Sequence, residues 1–175
     1  MTWESIDGWF DFADVYDLIA SKLVPGDVVV EVGSYLGRST AYLSSKINPH
    51  ALIIAVDPWP HFEPIAERVE VREGLYSCFL SNVLQCGCRN VLPLRTTSLV
   101  ASQIVRNDLA AVFLDGDHSY EAVKADIESW MPKIKPGGIL AGHDYGAEHP
   151  GVKQAADELL AGRFTLVGQC WVMQL

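Results

Sequence analysis

The chain has 175 residues, of which 49% are hydrophobic, enough to bury a substantial core in one domain spanning 1–175, with residues 1–25 as an N-terminal helical segment packed on it. Twenty-two acids against 13 lysines and arginines give a formal charge of -9, which repels nucleic acid and anionic membrane, and no basic patch interrupts it. The four cysteines, Cys78, Cys86, Cys88 and Cys170, lack Cys-x-x-Cys spacing; with no charged-then-apolar leader and no apolar run near ~20 residues, the expectation is a soluble cytoplasmic protein with reduced thiols.

Apolar positions Phe12, Val15, Tyr16, Ile19 and Leu23 recur at helical spacing until Pro25-Gly26 stops them, predicting a leading helix. Val28-Val29-Val30-Glu31-Val32 then reads as a buried strand carrying an acid near its end. It enters the turn Gly33-Ser34-Tyr35-Leu36-Gly37 and opens directly into a helix marked by Leu36, Thr40, Leu43 and Ile47. Nucleoside-containing cofactors are commonly held by such a strand, glycine turn and helix. Gly33 and Gly37 supply conformational freedom, and Glu31 sits where a carboxylate accepts hydrogen bonds from a cationic or hydroxylated ligand. Tyr35 replaces the middle glycine of G-x-G-x-x-G, and an acid disfavours a pyrophosphate, so the loop favours an uncharged or positive nucleoside over NAD.

Ala51 to Val56 reads as a second strand ending at Asp57, followed by a turn-rich connection over 58–74 with three prolines, of the kind that serves as a lid or binding loop. The pattern continues with a helix over Leu75 to Gln85, a strand over Asn90 to Leu94, a short helix over Leu99 to Val105 and a strand over Ala110 to Leu114. A helix from Ser119 carries Tyr120, Val123, Ile127 and Trp130 on its inner face. Pro136-Gly137-Gly138 predicts a tight turn into the strand Ile139 to Ala141, and Val152, Ala155, Ala156, Leu159 and Leu160 mark a last helix that Gly162 ends. Phe164 to Val167 and Trp171 to Leu175 form a closing hairpin. The alternation predicts an α/β fold: a Rossmann-like, doubly wound, seven-stranded sheet, mostly parallel, with one antiparallel strand in the C-terminal hairpin and helices on both faces.

Ligands of open parallel sheets bind outside the carboxyl ends of the strands, and here those ends are acidic: Glu31, Asp57, Asp115-Gly116-Asp117-His118 and His143-Asp144-Tyr145. Burying acids costs several kcal/mol unless they are paired or ligated, so convergence on a site explains them better than packing does. Asp57 is placed to bind ribose hydroxyls. Trp59, with Pro60-His61-Phe62, either covers an adenine or packs the loop. Thr96-Thr97-Ser98 offers hydroxyls at the same edge, with helix capping as the equal alternative. Asp115, His143 and Asp144 suit an oxygen-rich divalent site with one nitrogen ligand, for Mg²⁺ or Mn²⁺ rather than structural zinc; the alternative is that Asp117 or Ser119 caps the next helix with His118 bonded to it.

The segments Val30 to Thr40, Val56-Asp57-Pro58-Trp59, Phe113 to Tyr120 and Pro136 to Tyr145, in this order and spacing, resemble class I S-adenosylmethionine-dependent methyltransferases, and among them the small metal-dependent sugar and antibiotic O-methyltransferases. The resemblance implies that Glu31, Gly33 and Gly37 border the methionine moiety, that Asp57 holds the ribose, and that Ser34, Arg38, Ser39, Trp59, Thr97, Ser98 and Asp115 belong to the cofactor site. Metal-dependent relatives often carry two adjacent acids where this chain has His143-Asp144, and one carboxylate fewer tolerates softer ions better. The base is Asp117 or His118. The expected reaction is methyl transfer to a hydroxyl of a small molecule, with no nucleic-acid or membrane partner and with homodimer formation open. Acceptor recognition falls to the segment around Trp3, Trp9 and Phe10, the loop His61 to Arg72, and Tyr145 to His149. The rival readings are a noncatalytic nucleoside-binding protein and a nicotinamide-dependent oxidoreductase.

Overall fold

An unbroken valine run has no polar face to offer water and needs cover on both sides. The computed structural model, which describes residues 1–59 and 74–175, provides it. Val28–Val32 (β1) lies inside a seven-stranded sheet with β2 (Leu52–Asp57), β3 (Val91–Arg95), β4 (Leu109–Leu114), β5 (Ile134–Gly142), β6 (Thr165–Val167) and β7 (Cys170–Gln174), in the order β3-β2-β1-β4-β5-β7-β6. Strands β1 to β5 pair in parallel, and β7 runs antiparallel to both β5 and β6. One reversed strand in a C-terminal hairpin is the predicted arrangement.

The helices are α1 (Ala13–Lys22), α2 (Arg38–Lys46), α3 (Leu75–Gln85), α4 (Ser98–Ile104), α5 (Tyr120–Trp130) and α6 (Pro150–Leu160). On one face Val30, Val32 and Leu114 pack with Ala101, Ile127, Trp130 and Leu160 from α4, α5 and α6. On the other, Val29, Ile53 and Phe113 pack with Tyr16, Ile19 and Leu43 from α1 and α2. Each buried aliphatic side chain contributes about 1.5–3 kcal/mol, so the two layers hold the sheet from both sides. Among the described residues no helix is long and apolar enough to cross a membrane.

Register positions the site. Val32 pairs with Val56 and with Leu114, and Leu114 pairs with Gly142. Gly33, Asp57, Asp115 and His143 therefore stand in a row, each one step beyond its strand's paired residue. Because β1 has β2 on one side and β4 on the other, strand order reverses here, which opens a crevice at this edge.

One local expectation is refined and one corrected. Pro136-Gly137-Gly138 falls inside the span of β5, but the pairing with β4 jumps from Leu109↔Ile134 to Ala111↔Ile139, so residues 135–138 turn out of the ladder, with Gly137 at φ +80°, before the paired run that starts at Ile139. A bulge absorbs the extra residues and tolerates a proline without a ladder donor. Leu36 precedes α2 rather than joining it, since Gly37 is the N-cap. The predicted adenine cover at Pro60-His61-Phe62 and the acceptor loop over 61–72 lie outside the described residues.

Candidate functional site

The turn after β1 is shaped by a backbone-to-backbone contact. Gly33 has φ +88°, and a Cβ built on it would lie 1.9 Å from the carbonyl oxygen of Asp115. Only glycine lets the ends of β1 and β4 approach so closely, and that approach brings the Asp115 segment to the turn. Gly37, with φ +86°, begins α2.

Glu31 is 1% exposed. Tyr16 Oη and Ser39 Oγ donate to its Oε1 at 2.7 and 2.8 Å, and Ser34 Oγ at 2.7 Å and Thr40 Oγ1 donate to its Oε2. A carboxylate offers about four acceptor positions, and here the chain's own hydroxyls supply four donors. Burial raises the Glu31 pKa while the hydroxyls of Ser34, Thr40, Tyr16 and Ser39 pull it back. The expectation that Glu31 meets a ligand is therefore corrected. It lies beneath the loop and ties α1, the turn and α2 to β1. Ser34 and Ser39 border the cleft but point their hydroxyls inward at Glu31.

Asp57, at the end of β2, accepts from the backbone N–H of Tyr35 at 2.9 Å and of Trp59 at 2.7 Å, so its carboxylate is fixed against the glycine turn. Trp59 takes the packing role. It is 1% exposed, its indole N–H donates to the Tyr35 carbonyl at 2.6 Å, and its ring lies 4.7 Å from Phe79 and 5.0 Å from Tyr76. A ring enclosed in this way offers no open face to an adenine. Ser98 accepts from the indole N–H of Trp130 at 2.8 Å, an α4–α5 contact, while Thr97 is the exposed N-cap of α4 without a side-chain capping bond. Arg38 Nη1 donates to the Gly8 carbonyl at 2.7 Å, and its guanidinium lies 5.9 Å from the Trp3 ring. It latches the N-terminal segment over the site.

A cleft of about 590 Å³ opens between the glycine turn, the ends of β4 and β5, residues 7–11 and residues 148–149. Asp57, Trp59, Thr97 and Ser98 lie outside its lining. At its floor the predicted metal group assembles. His143 Nδ1 is 3.3 Å from Asp144 Oδ1 and 3.7 Å from Asp115 Oδ1, and one ligand atom from each of the three lies within 4.8 Å of the others. His118 Nε2 is 2.9 Å from Asp144 Oδ2 and 3.9 Å from Asp115 Oδ1. Asp115 and Asp144 raise the His118 pKa against its partial burial, with Asp144 the nearer carboxylate. Burial raises the Asp115 pKa, opposed by His118 and His143. Asp117 is exposed and accepts from the Ser119 backbone N–H at 2.8 Å, which lowers its pKa. It belongs to the start of α5, where Ser119 is the N-cap.

Two contributors were not foreseen as part of the cluster. Asp11 Oδ1 is 2.9 Å from His143 Nε2, out of line for a hydrogen bond, and His149 Nε2 is 3.5 Å from Asp144 Oδ1. Neither residue stands in a motif. Asp11 arrives from a segment 132 positions before His143, so only the packing of the N-terminal segment reveals it.

The family described as "Methyltransferase domain" matches residues 30–145, which hold the glycine turn, Asp57, the Asp115 segment and His143-Asp144. The chain belongs to this family. This methyltransferase domain is of the S-adenosylmethionine-dependent class expected from its sequence, and its sheet is the class I fold. It is 30% identical over 150 residues to the uncharacterized protein y4gI of Sinorhizobium fredii, a match covering 79% of the chain and 15% of that protein, so the chain spans only a small part of its curated relative's length. Among solved structures, a putative rRNA methylase from Clostridium thermocellum superimposes with TM-score 0.69 at 15% identity, covering 97% of this chain and 100% of that one. CalS11, a TDP-rhamnose 3'-O-methyltransferase of calicheamicin biosynthesis, gives 0.67 at 18% identity over 93% and 76%. A putative methyltransferase from Streptococcus mutans in complex with SAH gives 0.67 at 14% over 95% and 99%. At these identities the likeness to the solved structures is one of fold.

Proposed function

We propose that this methyltransferase moves the methyl group of S-adenosylmethionine to an oxygen of a small-molecule acceptor, with His118 as base and a divalent cation at Asp115, His143 and Asp144. The observation that carries the reading is the meeting of these four side chains on the floor of one cleft, against the glycine turn. The cofactor fits what is there. The cleft volume of about 590 Å³ is ordinary for a small-molecule site. Asp7, Asp11, Asp115, Asp144 and Glu148 line it against Arg38, a balance that suits a positively charged ligand. Asp57 lies outside the cleft lining, fixed against the glycine turn by two backbone N–H groups, and its ribose role rests on the resemblance of the Val56-Asp57-Pro58-Trp59 segment.

When bound, S-adenosylmethionine supplies an electrophilic methyl group on a cationic sulfonium. His118 is the better base on two counts: it faces the cleft, and Asp144 at 2.9 Å orients its imidazole, whereas Asp117 is tied to the Ser119 N–H. A cation at the Asp115 group would lower the acceptor hydroxyl's pKa and fix its position. The donor set of two carboxylates and one imidazole fits such an ion. The acidic lining and the charge of -9 favour a neutral or cationic small molecule over RNA.

Calorimetry with S-adenosylmethionine and S-adenosylhomocysteine, with and without Mg²⁺ or Mn²⁺, tests the cofactor, and a panel of sugars, phenols and RNA tests the acceptor. Saturable binding, weakened tenfold or more by Asp57→Ala, is expected. His118→Gln should lower kcat by about 10²–10⁴ while S-adenosylhomocysteine affinity holds. Binding of a nicotinamide cofactor instead, or methyl transfer to RNA alone, overturns the reading. Cofactor binding without transfer to any acceptor favours the noncatalytic alternative.

A further inference from the structure

Asp144 is shared between two groups of side chains. One is the Asp115, His143 and Asp144 set already described; the other is His118, Asp144 and His149, whose three ligand atoms also lie within 4.8 Å of one another. We propose that this second group is a separate metal site, with two nitrogen donors and one oxygen, selective for a borderline first-row ion such as Zn²⁺ or Co²⁺ over Mg²⁺.

Three elements deliver it. His118 follows β4, Asp144 follows β5, and His149 is the N-cap of α6. The start of α6 is pressed onto the His118 segment: a Cβ built on Gly151 would lie 2.6 Å from the His118 carbonyl oxygen and 2.5 Å from the Tyr120 nitrogen. Glycine at that position is what holds His149 beside His118, with ring centroids 4.3 Å apart and edge-on. His118 Nε2 is 2.9 Å from Asp144 Oδ2, and His149 Nε2 is 3.5 Å from Asp144 Oδ1. Ligand atoms around a tetrahedral ion with bonds of 2.0–2.2 Å stand about 3.4 Å apart, so small side-chain rotations close the set. The histidine side chains are 39% and 33% exposed, which leaves an ion a route in.

Selectivity follows from the donors. Imidazole nitrogen suits zinc, cobalt and nickel, whereas Mg²⁺ demands oxygen and keeps its waters. The set containing Asp115 offers two carboxylates and one imidazole; the set containing His149 offers the reverse. Two groups that share Asp144 therefore sort hard ions from borderline ones. Ligation also takes His118 Nε2, so an ion at this site would oppose methyl transfer, a consequence that rests on the function proposed above while the binding itself does not.

Titration of the full chain with Co²⁺, followed by visible absorption, is the test. One equivalent should bind with the bands of nitrogen-ligated cobalt, displaced by Zn²⁺ and not by a hundredfold excess of Mg²⁺. His149→Gln should weaken it at least tenfold, as should a second variant, His149→Asn, with folding checked by circular dichroism, while Asp115→Asn leaves it within threefold. No cobalt binding, binding indifferent to both His149 variants, or equal loss in Asp115→Asn would overturn the proposal. S-adenosylhomocysteine binding, measured separately in each protein, reports on the methyltransferase reading alone: its loss with cobalt binding intact would count against that reading and not against this site.

Discussion

Glu31 is stable at 1% exposure because hydroxyls replace its water. An unpaired buried carboxylate would cost several kcal/mol; four O–H donors from Tyr16, Ser34, Ser39 and Thr40 offset that and join three parts of the chain at one point. Glu31→Gln keeps the shape but turns one oxygen into an NH₂ group, which cannot accept from the two hydroxyls that face it. A loss of about 1–3 kcal/mol is expected, read as a lower urea midpoint, together with weaker S-adenosylhomocysteine binding as the turn slackens. An unchanged midpoint would mean the hydroxyl cradle does not anchor the turn. An acid at this position was legible from the strand-turn-helix pattern. Its direction was not, because Tyr16 lies 15 residues upstream and reaches Glu31 only once α1 packs on the sheet.

At the scale of elements, the N-terminal segment over 7–11 is anchored by Phe10, whose ring packs with Trp3, Phe12, Tyr16 and Tyr42, and is otherwise held to the cleft by few bonds. Arg38 on α2 donates to the Gly8 carbonyl, Trp9 lies 6.2 Å from the Tyr35 ring while 79% exposed, and His143 faces Asp11. The exposed positions on either side of that anchor, Trp9 and Asp11, have few buried contacts and open at low free-energy cost. Arg38→Ala should raise amide hydrogen exchange over residues 8–11 by tenfold or more without altering exchange in β1 or β4. Equal protection in both proteins would show that the latch lies elsewhere. Helix α2 itself is readable from spacing, but the bond of its arginine to the Gly8 carbonyl is not, since a lone cation near a nucleotide-type turn gives no local sign of a partner 30 residues away.

For the molecule as a whole, one buried acid makes stability depend on pH. Asp126 on α5 is 7% exposed, and burial lifts its pKa to about 6, with the Ser98 hydroxyl opposing and Asp117 adding to the rise. Between about pH 4 and 6 the folded protein retains a proton that the unfolded chain has released, so stability falls as pH rises through that window. The span corresponds to about 3 kcal/mol. Asp126→Asn should therefore gain stability relative to the parent at pH 8 and little at pH 4, as measured by Tm across that range. A difference between the two proteins that is constant with pH would sink this account.

Apolar runs, glycine and proline stops, and acids at strand ends are local signals, so the sequence by itself determined the order of elements, the doubly wound sheet with one reversed strand, and the edge where Asp57, Asp115, His143 and Asp144 gather. The Asp115, His143 and Asp144 group was readable because β4 and β5 are neighbours in the sheet and each places its residue at a strand end. Tertiary structure alone decided which way each side chain faces: Glu31 into a hydroxyl cradle, Trp59 into an apolar pocket with Phe79, Asp11 and His149 toward the cleft. The physical reason is that a side chain's direction is set by partners that no local window contains, and those partners arrive only when distant segments pack.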